Sequence, residues 1–291
     1  MTWAVVVHGG AGDWDPSLHG AACAGTRAAA ALAASELQRG RSALDAAIAA
    51  VVALEDDPLF NAGTGSVLNR DGEIEMDAGV ATGHDRGFGA VAAIRRVHNP
   101  ILVARAVLEH GAHVLLAGNG ALEFARAHGF DDYDPATPRA RAEWQRARQS
   151  TRLGTVGAVA LDIDGNLAAA TSTGGTALKL PGRVGDSPLP GAGTYATAQA
   201  AVSATGKGEH IMRMLAAKRV CDFVEQGEPV QEAVERVLAA MRASVGADAG
   251  FIAIARDGSI AFAHGTAFMA HAWATSSHPE AVTAMRTESG P

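Results

Sequence analysis

Gly154-Thr155-Val156-Gly157-Ala158-Val159-Ala160-Leu161-Asp162 is the stretch on which the fold turns. Here the pattern switches to a period of two. Strands at about 156–162 and 167–172 flank Asp164-Gly165, a hairpin signal. One threonine stands directly behind a glycine, where an irregular, Arg-rich segment gives way to the first of these strands. If the Gly154–Thr155 bond were cut, Thr155 would become a chain terminus carrying a hydroxyl nucleophile and a free α-amine. An amine with an unperturbed pKa near ~8 can act as the base for its own hydroxyl. The blander reading is an ordinary strand residue, since Thr favours strands.

Working upstream, a first strand at about 3–8 runs into His8-Gly9-Gly10-Ala11-Gly12, and a helix follows at about 17–38. Ser42 and Asp45 resemble a capping box for a second helix to about 55. A Pro- and Gly-punctuated loop covers 54–65. Strands are expected at about 66–69, 73–82 and 87–96, the first two joined through Asp71-Gly72. Helices follow at about 100–110 and 119–128. From 131 to about 153 lies a polar linker with Arg139, Arg141, Arg146, Arg148 and Arg152 around Trp144, read as a surface helix plus a mobile, protease-sensitive stretch. Downstream of the hairpin, Gly, Pro and Asp dominate 181–193. A strand at about 199–204 enters Thr205-Gly206-Lys207-Gly208, which opens a helix to about 225, and another helix runs from Pro229 to about 244. A last hairpin, about 250–256 and 259–264, turns on Asp257-Gly258. This order predicts an α/β chain with two antiparallel-rich sheets and helices outside, not a doubly wound one.

Composition narrows the function classes. With 291 residues and 48% hydrophobic content, the chain can bury one large core. A net charge of −7 argues against a nucleic-acid surface. No apolar run reaches the ~18 residues of a membrane span, and the N-terminus lacks signal-peptide character, so a cytoplasmic location is expected. Cys23 and Cys221 read as free thiols.

Several residues carry chemistry, each with a plainer alternative. Arg183 and Asp186, three apart in a Gly/Pro loop, could grip the carboxylate and ammonium of an amino-acid head group, or pair with each other. Thr205-Gly206 sits where a strand meets a helix, suited to an oxyanion or to a plain N-cap. The 54–64 loop is rich in backbone carbonyls for a hard cation, or is a structural turn. His8-Gly9-Gly10 has a lipase-like look, but no Gly-x-Ser-x-Gly elbow accompanies it. The glycines at 191 and 193 follow prolines rather than a strand, which argues against a dinucleotide fingerprint. No His spacing suits a catalytic zinc.

HGGAG at 8–12, LEDDPLFNAGTGS at 54–66, EMDA at 75–78, GTVGAVALD at 154–162, ATSTGG at 170–175, PGRVGDSP at 181–188, GAG at 191–193 and VSATGKGE at 202–209 follow one another in that order. In this order and spacing the chain resembles the N-terminal-nucleophile asparaginases, the plant-type L-asparaginase / isoaspartyl aminopeptidase family, from residue 3 to about 264. The resemblance implies a four-layer αββα sandwich in a single domain. It implies self-cleavage into an α-chain of 1–154 and a β-chain of 155–291, and a dimer of such αβ units. By the same resemblance Thr155 is the nucleophile and Thr173 orients it. Asn61 holds the region of the Thr155 amine and hydroxyl. Arg183 binds the substrate α-carboxylate, Asp186 its α-ammonium, and Thr205 and Gly206 form the oxyanion hole. Leu54, Glu55, Asp57, Phe60, Ala62 and Thr64 match a loop that holds a structural Na+ largely through main-chain carbonyls, and the chemistry itself needs no cofactor. The implied reaction hydrolyses the side-chain amide of L-asparagine or the isopeptide bond of a β-aspartyl (isoAsp) dipeptide, releasing L-aspartate. A glycosylasparaginase-like amidase and an uncleaved homologue with a binding role are the alternatives. The chain departs from the family at Thr176-Ala177-Leu178-Lys179, at Lys207 beside the oxyanion hole, and after about 265.

Overall fold

The computed structural model describes residues 2–146 and 154–286. Arg148, Arg152 and the rest of the linker from 147 to 153 lie outside the described residues. An eight-stranded sheet runs, edge to edge, β12 (Val282–Ala284), β11 (Phe268–Thr275), β1 (Ala4–Gly12), β5 (Val156–Leu161), β6 (Leu167–Thr173), β2 (Met76–Thr82), β3 (Phe88–Ile94) and β4 (Leu115–Ala117). All neighbours are antiparallel except β3 and β4. A four-stranded antiparallel sheet runs β10 (Ile260–His264), β9 (Ala249–Ala255), β8 (Ala200–Gly206) and β7 (Thr194–Ala196).

Period-two alternation decides where each side chain goes. Val5 and Val7 of β1, Ala158 and Ala160 of β5, and Ala168 and Ala170 of β6 pack toward helices α1 (His19–Gln38), α2 (Ala43–Asp56) and α3 (Pro100–His110). Val6, Val159, Leu161, Leu167 and Ala169 turn the other way and meet Ala201, Ile252 and Ile254 of the smaller sheet. The outer face of that sheet packs on α7 (Ala216–Glu225) and α8 (Val230–Val245). Every residue of β2, β3, β5 and β6 is buried, as strands covered on both faces must be.

Most of the expected elements are present, with local reasons that match. Ser42 Oγ accepts from Asp45 N at 3.1 Å and starts α2. Pro100 opens α3 and Gly111, in the left-handed region at φ 72°, closes it. The Asp164-Gly165 and Asp257-Gly258 hairpins turn where expected, with Asp162 N donating to Asn166 O at 3.0 Å and Ala255 N to Ser259 O at 2.9 Å. The expected surface helix in the linker is α5 (Pro138–Arg146), docked by Trp144 Nε1 donating to Asn69 O at 2.8 Å. A further helix, α4 (Gly118–Ala127), also falls where expected.

Two expectations are corrected, and one stretch without an expectation is filled. Residues 66–69 form no strand. Val67 N donates to Asn61 Oδ1, Asn69 N to Glu73 O, and Leu68 O accepts from Leu178 N, so these backbone groups are satisfied by one side chain, a local turn and a distant loop rather than a ladder. The helix expected from 208 to 225 breaks at Leu215, held at φ 47°, into α6 (Gly208–Met214) and α7. There Ala217 N and Lys218 N donate to Ala192 O and Gly191 O at 3.0 and 2.8 Å, a tertiary contact that starts a new helix in a new direction. The region after 265, for which the sequence predicted no element, carries β11 and β12; β11 is second from one edge of the larger sheet and pairs with β1, Val6 opposite Trp273.

Candidate active site

The same alternation that sends Val6, Val159 and Ala169 into the seam between the sheets continues to one end of it. Two positions back or on from these lie His8 on β1, Gly157 and then Thr155 at the entry to β5, and Thr171 and Thr173 on β6. Ser203 and Thr205 follow Ala201 on β8 in the same way. Thr155, Thr173 and Thr205 are all buried.

At this junction Thr155 Oγ1 donates to Thr173 Oγ1 at 3.1 Å, and Thr173 Oγ1 donates to Gly154 O at 2.9 Å. Asn61 Nδ2 donates to the same Gly154 carbonyl at 2.9 Å and to Gly175 O at 2.7 Å. Asn61 is itself fixed, its Oδ1 accepting from Val67 N at 2.9 Å and its main-chain O from Gly174 N at 2.9 Å. The carbonyl between Gly154 and Thr155 therefore carries two side-chain donors, with a hydroxyl beside them. Gly10 lies across from it at φ 109°, a conformation suited to glycine, and a methyl there would stand 3.1 Å from Gly154 Cα and 3.2 Å from Thr155 N.

Thr205 Oγ1 accepts from Ala11 N at 3.2 Å, which leaves its proton free to donate elsewhere, and Gly206 ends β8 at φ 139°. Arg183 does not pair with Asp186. Its Nε and Nη2 both reach Glu209 Oε1 at 3.0 Å. Arg183 and Asp186 nevertheless converge, since a methyl on Gly208 would sit 2.8 Å from Arg183 Nη2 and 2.7 Å from Asp186 Oδ1. Asp186 is buried, and among the described residues its Oδ2 has no hydrogen-bond partner. Burial pushes its carboxyl up to about 7, against the opposing pull of its own backbone N–H and of Arg183.

Residues that sequence reasoning gave no role surround this set. His8 Nε2 lies 2.9 Å from Ser203 Oγ, which lies 2.8 Å from Thr171 Oγ1, a buried polar chain beneath Thr155. Burial holds the His8 imidazole neutral, with its pKa near 3. Lys179 is buried and donates to Glu75 O at 2.6 Å. Burial pulls its pKa down while Asp77 supports its charge. Glu75 and Asp77 belong to the EMDA motif, to which the sequence attached no role. Lys207, in contrast, is exposed.

The 54–64 loop closes on itself, with Thr64 N donating to Glu55 O at 2.8 Å and Phe60 N to Asp57 O at 3.1 Å. Leu54 O faces Pro58, which has no N–H to offer it. Among the described residues no donor is recorded on the carbonyls of Phe60, Ala62 or Thr64, and Glu55 Oε2 is buried without a partner. This donor set, oxygen throughout, fits a hard monovalent cation. Among the described residues no group of His, Cys, Asp and Glu is arranged for a metal ion, and no helix is long and apolar enough to cross a membrane. A groove of about 720 Å3 lined by His19, Phe262, Phe268, His271, Trp273 and Arg286 among others contains none of the residues that converge on Thr155.

The fold and the site define a class: an α/β protein whose two sheets meet at a threonine standing behind a glycine. The chain belongs to the asparaginase family, whose model matches residues 1–283. That match continues through β11 and into β12, past the point at which the motif resemblance ends. The chain is 43% identical to a plant-type L-asparaginase of Pyrococcus furiosus, over 93% of this chain and 95% of the relative. It is 44% identical to an isoaspartyl peptidase of Escherichia coli, over 81% and 80% of the two chains. It is 42% identical to an isoaspartyl peptidase/L-asparaginase of Danio rerio, over 88% and 86%.

Proposed function

We propose that this chain is a self-processing threonine amidohydrolase that hydrolyses the side-chain amide of L-asparagine and the isopeptide bond of β-aspartyl dipeptides. The observation that carries the reading is the Thr155 Oγ1–Thr173 Oγ1–Gly154 O chain, with Asn61 Nδ2 on the same carbonyl. In the precursor, Thr155 Oγ1 passes its proton toward Thr173 and attacks the Gly154 carbonyl carbon. The oxyanion forms on an oxygen that already has two donors. The C–N bond breaks, the nitrogen takes a proton as the Thr155 α-amine, and water hydrolyses the resulting ester to leave a Gly154 carboxylate.

In the processed form the freed amine takes the Oγ1 proton, and Oγ1 attacks the side-chain carbonyl of the substrate. Thr205 and Gly206 receive the new oxyanion. Ammonia or an amino acid leaves with a proton, and water releases L-aspartate from the aspartyl ester. Arg183 binds the α-carboxylate and Asp186 the α-ammonium. The unpartnered buried oxygen of Asp186 supports this role, because a buried carboxylate without a counter-ion is costly until a cation arrives. Gripping both α groups restricts the substrate to a free asparagine or an N-terminal isoAsp unit.

The helices outside each sheet support a four-layer αββα arrangement in one domain, divided into an α-chain of 1–154 and a β-chain of 155–291. A dimer of αβ units and a Na+ held by the carbonyls of Leu54, Glu55, Phe60, Ala62 and Thr64, with Asp57 in the same loop, belong to the same reading. The test is intact mass and N-terminal sequencing of incubated protein, followed by turnover of asparagine and a β-aspartyl dipeptide. A β-chain that begins Thr155-Val156-Gly157 and releases aspartate is the expected result. A persistent full-length chain without turnover would favour an uncleaved homologue with a binding role, and a preference for glycosylated asparagine would favour a glycosylasparaginase-like amidase.

A further inference from the structure

The EMDA segment at 75–78 has so far been given no part in the chemistry, yet both of its carboxylates are buried. Their bonds run to the loop that carries Arg183 and Asp186. Asp77 Oδ2 accepts from Gly185 N at 2.8 Å, and Gly185 lies between those two residues in the chain. Glu75 Oε2 accepts from Gly182 N at 2.9 Å, one residue before Arg183. Lys179 just ahead of the loop is a further anchor on this side, its ammonium reaching Glu75 O.

The other bonds of the two carboxylates are rigid. Opposite Asp77, between the pairs Met76–Ile94 and Ala78–Val91, β3 carries one extra residue, while β2 keeps its register with β6 unbroken. Asp77 Oδ1 accepts from Ala93 N at 2.8 Å. Ala93 is at φ 48°, a left-handed conformation that an alanine holds only under constraint. Glu75 is clamped by Arg95 Nη2 at 2.5 Å and Asn69 Nδ2 at 3.2 Å. Burial raises the carboxyl pKa of Glu75, but these donors, with Gly182 N–H, hold it below the ordinary carboxylate range. On the opposite edge of β2, Asp77 stands in register with Thr173, the partner of the nucleophile. One residue thus touches the strand that orients Thr155 through its main chain and the substrate loop through its side chain.

We propose that Glu75 and Asp77 are positioning residues that set the distance between the nucleophile and the substrate grip, by tying Gly182 and Gly185 to the strand paired with Thr173. They touch no substrate. Their effect runs through Arg183 and Asp186, so the inference rests on the roles given to those two residues above. It accounts for a chemical oddity, one carboxylate buried just ahead of β2 and another buried within it. An oxygen fixed at both ends holds a glycine-rich loop that would otherwise be free to drift. A loop that drifts holds Arg183 and Asp186 out of place in the free enzyme, which weakens ground-state and transition-state binding alike and is read in KM.

Asp77→Asn and Glu75→Gln each keep the volume and remove one acceptor. In both, the chain is expected to process at Thr155. The KM for asparagine and the inhibition constant of L-aspartate should then rise together by about 10-fold or more, while kcat per processed site stays within about 3-fold. A purely structural role would lower the melting temperature or the processed fraction and leave both constants unchanged, and that result overturns the proposal. So does the failure of both variants to give folded, processed enzyme, because the carboxylates would then hold the fold rather than the grip. Arg183→Ala measured in parallel separates the two levels. If Arg183→Ala leaves KM unchanged, the substrate-site reading itself fails. If it raises KM and neither carboxylate variant does, only the positioning inference fails.

Discussion

Thr155 contributes a hydroxyl that no neighbour in the site can replace at the same place. Thr155→Ala should remain a single chain and be inactive, as read by denaturing gel and intact mass. Thr155→Ser should retain some cleavage, because a hydroxyl remains. Processing of the alanine variant at the normal rate would remove Thr155 from the reaction. Arg183→Ala should process and then bind asparagine weakly, since a substrate carboxylate would be buried without its guanidinium. Loss of such a partner costs about 2–5 kcal/mol, seen in KM. Asp186 adds a pH dependence. Its carboxyl is raised from 3.8 to about 7 by burial. Between those values the folded chain holds a proton that the unfolded chain has lost, so this group makes stability fall as pH rises across that window. Asp186→Asn should therefore melt at a higher temperature than the parent at pH 8 while losing affinity for asparagine, a trade measured by thermal melts at pH 5 and pH 8. No gain at pH 8 would mean that the carboxylate is balanced in the folded protein.

At the scale of the element, β5 depends on an absence. A methyl at Gly157 would stand 2.1 Å from Ser203 Oγ and 2.5 Å from His8 Nε2, short groups tied into one buried chain. Gly157→Ala should cost about 1–3 kcal/mol by overpacking and slow the cleavage beside it, read by melting temperature and the time course of processing. β11 carries a different prediction. Because it lies between β12 and β1, truncation after residue 264 should leave β1 as an uncovered edge of the larger sheet and give aggregated protein, checked by soluble yield and light scattering. The hairpins and most helices were legible because their signals are local: an Asp-Gly pair, a Ser cap, a Pro at the first turn. Residues 66–69 misled because β-like composition is also found in a loop whose backbone bonds go to Asn61 and Leu178. β11 was missed because the motif resemblance stops short of it.

Across the whole molecule, the site stands at one end of the seam where the two sheets pack. Ile252 is buried at the centre of that seam with Val6, Val159 and Leu167. Ile252→Ala should cost about 2–4 kcal/mol and weaken the docking of β8 on β5, so that processing and turnover fall with stability in chemical melts. If turnover survives such a loss undiminished, the alignment of Thr205 with Thr155 does not depend on the packing of the seam.

The sequence alone determined the Gly-Thr junction ahead of a strand, the hairpins at Asp164-Gly165 and Asp257-Gly258, and the turn-rich loop at 54–64. Each depends on neighbours a few residues away, and the order of the motifs pointed to the family. Only the tertiary structure decided what Arg183 pairs with, why α6 and α7 are separate, and where Glu75 and Asp77 send their oxygens. Asp77 and Gly185 are 108 residues apart in the chain, and Asn61 and Gly154 are 93 apart. No local spacing encodes such contacts. They arise when two sheets bury their inner faces against one another, and the polar residues left in the seam must find their partners there.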